Sequence, residues 1–112
     1  MTFEVGTIVL VPFPYSDLSA SKRRPVLVLT DVNGRGDFIA MALTTKPRTT
    51  NSVALPKGPL ARGGALPRDS WICTDKIITL RQTVVVKALG RTDAQTRAAC
   101  VHVLCDFLVG AE

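Results

Sequence analysis

Lys22, Arg23 and Arg24 stand together immediately before Pro25, at the head of an apolar stretch. An arginine carries a planar fork of donors that suits bidentate contact with a phosphate. Proline holds the residue before it extended, so Arg24 and Arg23 project to opposite sides of the chain, and one can face a groove while the other faces solvent. A second polar group, Thr44-Thr45-Lys46, closes a later apolar stretch, and a third, Asp75-Lys76, follows SWICT at residues 70–74. If the stretches after Arg24 and before Thr44 pair as a hairpin, both residues lie at its open end. Their side chains could then converge on one phosphate, the arginine contributing charge and the threonine a hydroxyl. Asp75 could accept a proton or orient an arginine. His102, the one histidine, has no obvious acidic partner and reads as structural or exposed.

Metal and disulfide chemistry find little support. The cysteines are Cys73, Cys100 and Cys105, an odd number without a C-x-x-C, which suggests neither a disulfide framework nor a thioredoxin-like pair. One histidine and scattered acids supply no zinc-ligand cluster, so hydrolytic chemistry is expected to be metal-free and no cofactor is implied.

The chain has 112 residues, 46% hydrophobic and 21% charged, which is too apolar for an intrinsically disordered protein. A single domain over residues 1–112 is expected. Its longest apolar runs have five or six residues, far short of the ~20 of a membrane-spanning helix. The opening Met-Thr-Phe-Glu lacks the basic residues that begin a signal peptide, so a cytoplasmic protein is expected. Net charge is +5, distributed as +7 over residues 1–92 and −2 over residues 93–112. A body with that field attracts polyanions in a salt-dependent way.

The elements that must hold these residues follow from periodicity. Residues 7–13 (TIVLVPF) read as a first strand that ends at an edge or bulge because Pro12 cannot donate to a ladder. A polar loop is expected over residues 14–24. Residues 25–30 (PVLVLT) read as a strand buried on both faces, joined through the turn DVNGRGD to a strand at residues 38–44. A short strand over residues 51–55 precedes a Pro- and Gly-rich loop at 56–67. Residues 70–74 and 84–89 are read as strands, with a short element at 77–80 between them. A helix is predicted over residues 93–109, capped by Thr92 with Gln95 completing a capping box, and ended by Gly110. Its apolar stripe is read as Ala94, Ala98, Val101, Cys105 and Leu108, with Leu104 beside them. Cys100 and Cys105 then point in different directions. Close sequential spacing favours antiparallel neighbours. The expected fold is mostly β with α: an SH3-like small β-barrel or curved antiparallel sheet with a C-terminal helix, an OB-like barrel being second.

Taken together, the blocks GTIVLVPFPYSDLSASKRRPVLVL (6–29), FIAMALTT (38–45), LPRDSWICTDKIITL (66–80) and VVVKALGRTDAQTRAACVHVLCDFL (84–108) resemble the MazF/PemK family of toxin endoribonucleases. The order and spacing of blocks over nearly the whole chain carry the resemblance. It implies that Arg24 is the family's arginine before the proline, that Thr44 is its strand-closing hydroxyl, and that Asp75 is the aspartate some members use. The arginine that accompanies that aspartate in those members is replaced here by Cys73. The family's acidic loop is replaced by PYSDLSAS, where Asp17 is the one acid. Ser21, Lys22, Arg23, Lys46, Arg48 and Lys76 are the accompanying RNA-contact candidates. By the same resemblance, the protein is expected to form a homodimer and to cut single-stranded RNA without a metal. A cognate antitoxin with an acidic, disordered C-terminal segment would occupy its basic groove. Gyrase-poison toxins of the same barrel and a non-catalytic binding barrel are the alternatives.

Overall fold

Val, Ile and Leu occupy consecutive positions in the central strands, which is the pattern of a sheet covered on both faces. The computed structural model, which describes residues 2–12 and 23–110, shows this arrangement. Its strands are β1 (Thr7–Pro12), β2 (Arg23–Val28), β3 (Asp37–Thr44), β4 (Ser52–Leu55), β5 (Gly58–Pro59), β6 (Arg62–Gly63), β7 (Ala65–Leu66), β8 (Ser70–Arg81) and β9 (Lys87–Arg91). A 3-10 turn at Gln82–Val84 precedes β9, and the helix α1 spans Ala94–Val109. Seven strands form one sheet in the order β4-β8-β3-β2-β1-β9-β6, with every pairing antiparallel. The hairpin expected between the second and third strands is present, with Val26 opposite Ala42 and Leu27 opposite Met41.

Connectivity makes the sheet curl. Its two edges, β4 and β6, are joined by the short path from Leu55 to Arg62. Fully extended, that path reaches about 25 Å. The edges of a flat seven-stranded sheet would lie about 29 Å apart. Only a curled sheet lets the chain pass from one edge to the other, and β5 lies within that crossing. The result is a half-barrel of antiparallel strands with one C-terminal helix.

Alternation divides the apolar residues between two clusters. Ile8, Leu27, Met41, Leu43, Leu66, Ile72 and Cys100 are buried in one, on the side that α1 covers. Val9, Val11, Val26, Val28, Phe38, Ala40 and Val85 fill the other, where Phe3 meets Phe38 edge-on at 4.9 Å.

The structure corrects several boundaries. Arg23 and Arg24 belong to β2, not to the preceding loop; most of that loop, including Asp17, lies outside the described residues. β8 is one long strand where the sequence suggests two elements broken at Asp75-Lys76, because those charges sit on a bulge within it. Residues 82–84 turn as a 3-10 helix and β9 begins only at Lys87, although Val84 and Val85 still contribute side chains to the second cluster. Within the Pro- and Gly-rich segment, three two-residue strands form.

At α1 the cap is Asp93, whose carboxylate accepts from the Thr96 N–H at 2.7 Å, so Thr92 and Gln95 make no capping box. The Thr92 hydroxyl instead donates to the Gly6 carbonyl at 2.7 Å, tying the helix start to the head of β1. Gly110 ends the helix with φ at +86°, a conformation open to glycine. The buried face also differs from the stripe read in the sequence. Cys100 is fully buried and Leu104 packs beside it, whereas Ala94, Ala98, Val101, Cys105 and Leu108 face outward.

Candidate functional site

Pro25 feeds Arg24 into an extended backbone, and the β2–β3 register does the rest. Continuing the pairing of Val26 with Ala42 by two residues sets Arg24 opposite Thr44. Alternation places both on the face shared by Val26, Val28, Phe38 and Ala40. On its other side Arg24 pairs with Val11, while Thr44 pairs with Trp71 of β8. Arg24 is half-buried and Arg23 is exposed, as expected for neighbours on opposite sides of a strand. Thr44 Oγ1 accepts the Lys46 N–H at 3.1 Å, which leaves the hydroxyl proton without an acceptor among the described residues.

One rung further along, the β3–β8 ladder breaks. Between the pairs Met41–Ile77 and Leu43–Ile72, five residue steps of β8 stand against two of β3. The surplus bulges out as residues 73–76, opposite Ala42, and pushes Asp75 out of the ladder. There both of its oxygens accept from Arg48, at 3.0 Å to Nη1 and 3.0 Å to Nη2. The partners keep 23% and 26% of their side-chain exposure, enough shielding to make a two-point contact persistent. Arg48 holds the Asp75 carboxyl below the usual carboxylate range. In turn Asp75 raises the Arg48 guanidinium. Among the described residues the buried Thr74 Oγ1 has no hydrogen-bond partner.

The sequence candidates therefore separate into groups. Arg24 and Thr44 each lie two residues beyond the last β2–β3 pair, Val26–Ala42. Asp75, on the adjoining bulge, pairs with Arg48 of the β3–β4 connection. Lys46 and Lys76 are exposed on the same elements, and Arg23 faces away. Ser21 and Lys22 lie outside the described residues. His102 does have an acidic neighbour, Asp106 at 3.6 Å one helical turn on, but both are solvent-exposed on α1. What the sequence reading missed is the Arg48–Asp75 partnership. The only signal for it was the presence of a free arginine in the β3–β4 connection.

Among the described residues no three His, Cys, Asp or Glu side chains are grouped so as to hold a metal ion. A cavity of about 350 Å³ lined by Arg62, Arg91 and Arg97 lies beside the start of α1. That is the opposite end of β1 from Arg24, since Thr7 pairs with Arg91 and Val11 with Arg24. It extends the positive field without joining the Arg24–Thr44 corner. No described helix is long and apolar enough to cross a membrane.

Comparison with known proteins bears on the arrangement as a whole. The chain is similar in structure to the Mycobacterium tuberculosis toxin MazF-mt6, with a TM-score of 0.69 at 20% identity, covering 95% of this chain and 99% of that one. It is similar to an endoribonuclease in complex with its cognate antitoxin from a mycobacterial species, with a TM-score of 0.68 at 25% identity over 96% and 95% of the two chains. A further mycobacterial endoribonuclease superposes with a TM-score of 0.64 at 24% identity, covering 94% of this chain and 89% of that one. No curated protein matches the chain. The family model for the PemK-like, MazF-like toxin of type II toxin–antitoxin systems matches residues 4–108, and the chain belongs to that family.

Proposed function

We propose that this toxin is an endoribonuclease that cuts single-stranded RNA without a metal, and that a cognate antitoxin restrains it. The observation that supports this reading is the β2–β3 register, which ends at Val26–Ala42 and, continued by two residues, would bring Arg24 and Thr44 to one face at the open end of the hairpin. In the reaction, the 2′-oxygen of the nucleotide before the cut bonds to the adjacent phosphorus and the bond from phosphorus to the 5′-oxygen breaks. The proton leaves the 2′-hydroxyl and a proton is delivered to the departing 5′-oxygen. A 2′,3′-cyclic phosphate and a 5′-hydroxyl end remain. Arg24 offsets the charge that grows on the non-bridging oxygens, and the Thr44 hydroxyl donates to the same group. An always-protonated arginine suits that electrostatic role better than proton abstraction.

The partners follow the same logic. RNA and an acidic antitoxin segment both present spaced negative charges, so they compete for the basic groove. The mycobacterial endoribonuclease of similar structure is itself found in complex with its cognate antitoxin. A homodimer of single-domain subunits would cover the apolar turns that end α1, where Phe107, Leu108 and Val109 are 54%, 71% and 76% exposed. The expected place of action is the cytoplasm, where such RNA is found.

Single-turnover cleavage of a sequence-diverse single-stranded RNA in EDTA, with product ends identified by mass, tests this. Arg24→Ala should slow the cut by at least ~100-fold, the scale of losing one preorganised donor. Thr44→Val should lower the rate while the fold persists, and Arg23→Ala should weaken binding but leave the cut nearly intact. No cleavage by the unaltered protein, or an Arg24→Ala variant that cuts as fast, would overturn the reading.

A further inference from the structure

A carboxylate that follows a strand core and sits near a phosphate-binding corner invites the role of general base, and Asp75 is placed where that role would be sought. Its surroundings argue otherwise. Both of its oxygens are taken by the guanidinium of Arg48, in the parallel two-point geometry that holds an arginine in one orientation. To accept a proton from a 2′-hydroxyl, the carboxylate would have to give up one of those bonds. Its affinity for that proton is already lowered by the same contact. Arg48 has five N–H donors, and the carboxylate takes two of them. The remaining donors belong to a guanidinium whose side chain is 23% exposed. This pair projects from the bulge opposite Ala42, two residues along β3 from Thr44.

We propose that Asp75 is a positioning residue and that Arg48, fixed by it, is a phosphate-contacting residue for the RNA strand passing the Arg24–Thr44 corner. The proposal rests on the RNA reading above and assigns a residue and a division of labour that reading leaves open. The guanidinium expected beside Asp75 at position 73 is supplied instead from position 48, across the β4–β8 edge. Because the pair has no net charge, its contribution is directional: it presents oriented donors and adds little to the long-range field.

That property gives the test a distinctive sign. Asp75→Asn makes the protein more positive by one charge, so general electrostatics alone would tighten RNA binding. Positioning requires the reverse. The measurement is fluorescence anisotropy with single-stranded RNA blocked by 2′-O-methyl groups, alongside single-turnover cleavage of the unblocked strand as a function of pH. Asp75→Asn should weaken binding by about tenfold, in the range of one charged hydrogen bond. Arg48→Ala should weaken it at least as much, and the double variant should match Arg48→Ala within about twofold, since Asp75 acts only through Arg48. Asp75→Glu should recover part of the loss. The pH profile of the cut should keep its shape in Asp75→Asn. Thermal melts of each variant separate unfolding from loss of contact.

Unchanged or tighter binding by Asp75→Asn, or loss of a pH limb with binding intact, overturns the positioning role in favour of a general base. Additive losses in the double variant overturn the dependence on Arg48. If the unaltered protein neither binds nor cuts RNA, the RNA reading itself falls and this inference with it. Cleavage by the unaltered protein with no effect of Arg48→Ala on binding removes the inference alone.

Discussion

Cys100 offers a chemical test of which face of α1 meets the sheet. Its side chain is fully buried beside Ile8, Leu27, Met41 and Ile72, and desolvation pushes its thiol up to about 11. Alkylation needs the thiolate. At pH 8 a thiol with that value is ionised to about 0.1%, against about 9% for a thiol at the ordinary value near 9, so the reaction is slowed ~90-fold before access is considered. Cys105 is exposed on the outer side of the same helix, so burial does not shield it. Iodoacetamide treatment at pH 8, followed by mass spectrometry of the α1 peptide, should therefore modify Cys105 in the native protein. Cys100 should react at least ~100-fold more slowly until denaturant opens the core. The same burial makes stability depend on pH. The folded state holds the Cys100 proton more tightly, so nothing changes below the unfolded value near 9. Stability then falls as pH rises and levels off beyond about 11, a loss of about 3 kcal/mol across that window. Cys100→Ala should remove this alkaline limb. Equal native alkylation rates at the two cysteines, or protection of Cys105 instead, would refute the helix orientation and the packing built on it.

Thr74→Val should raise stability by about 1 kcal/mol, because it removes a buried hydroxyl with no hydrogen-bond partner among the described residues while preserving its shape; a lower urea midpoint would refute this. Gly64→Ala should cost about 3 kcal/mol, since a Cβ there would stand 2.1 Å from the Leu89 carbonyl oxygen; an unchanged denaturation midpoint would show that the β6–β9 contact is looser than described. The Arg48–Asp75 pair should add about 1 kcal/mol of stability, fully present above the ordinary carboxylate value near 4 and lost as pH falls through the depressed folded value of Asp75. Urea titrations at pH 6 and pH 2 should thus differ less for Arg48→Gln than for the unaltered protein, and an equal difference would count against the pair.

Local pattern alone determined a good part of this protein. Consecutive β-branched and aliphatic residues after Pro25 made β2 a strand covered on both faces, and the turn at residues 31–37 made β2 and β3 a hairpin. Once those two strands pair, Arg24 and Thr44 must share its open end, because both lie close to the pairing that sets their register. The order of blocks sufficed for family and fold, and Gly110 marked the end of α1. What depended on distant contacts was not legible. The face of α1 was misread because apolar residues occur on several sides of it, so periodicity could not choose between Val101 and Cys100; packing against β4 and β8 chose. Thr92 has the chemistry of a cap, yet the Gly6 carbonyl, 86 residues away, claims its hydroxyl and leaves the cap to Asp93. The Arg48–Asp75 pair joins residues 27 apart through a bulge in β8. A bulge changes which side chains meet without altering the composition that a periodicity reading detects, so only the tertiary structure could decide that partnership.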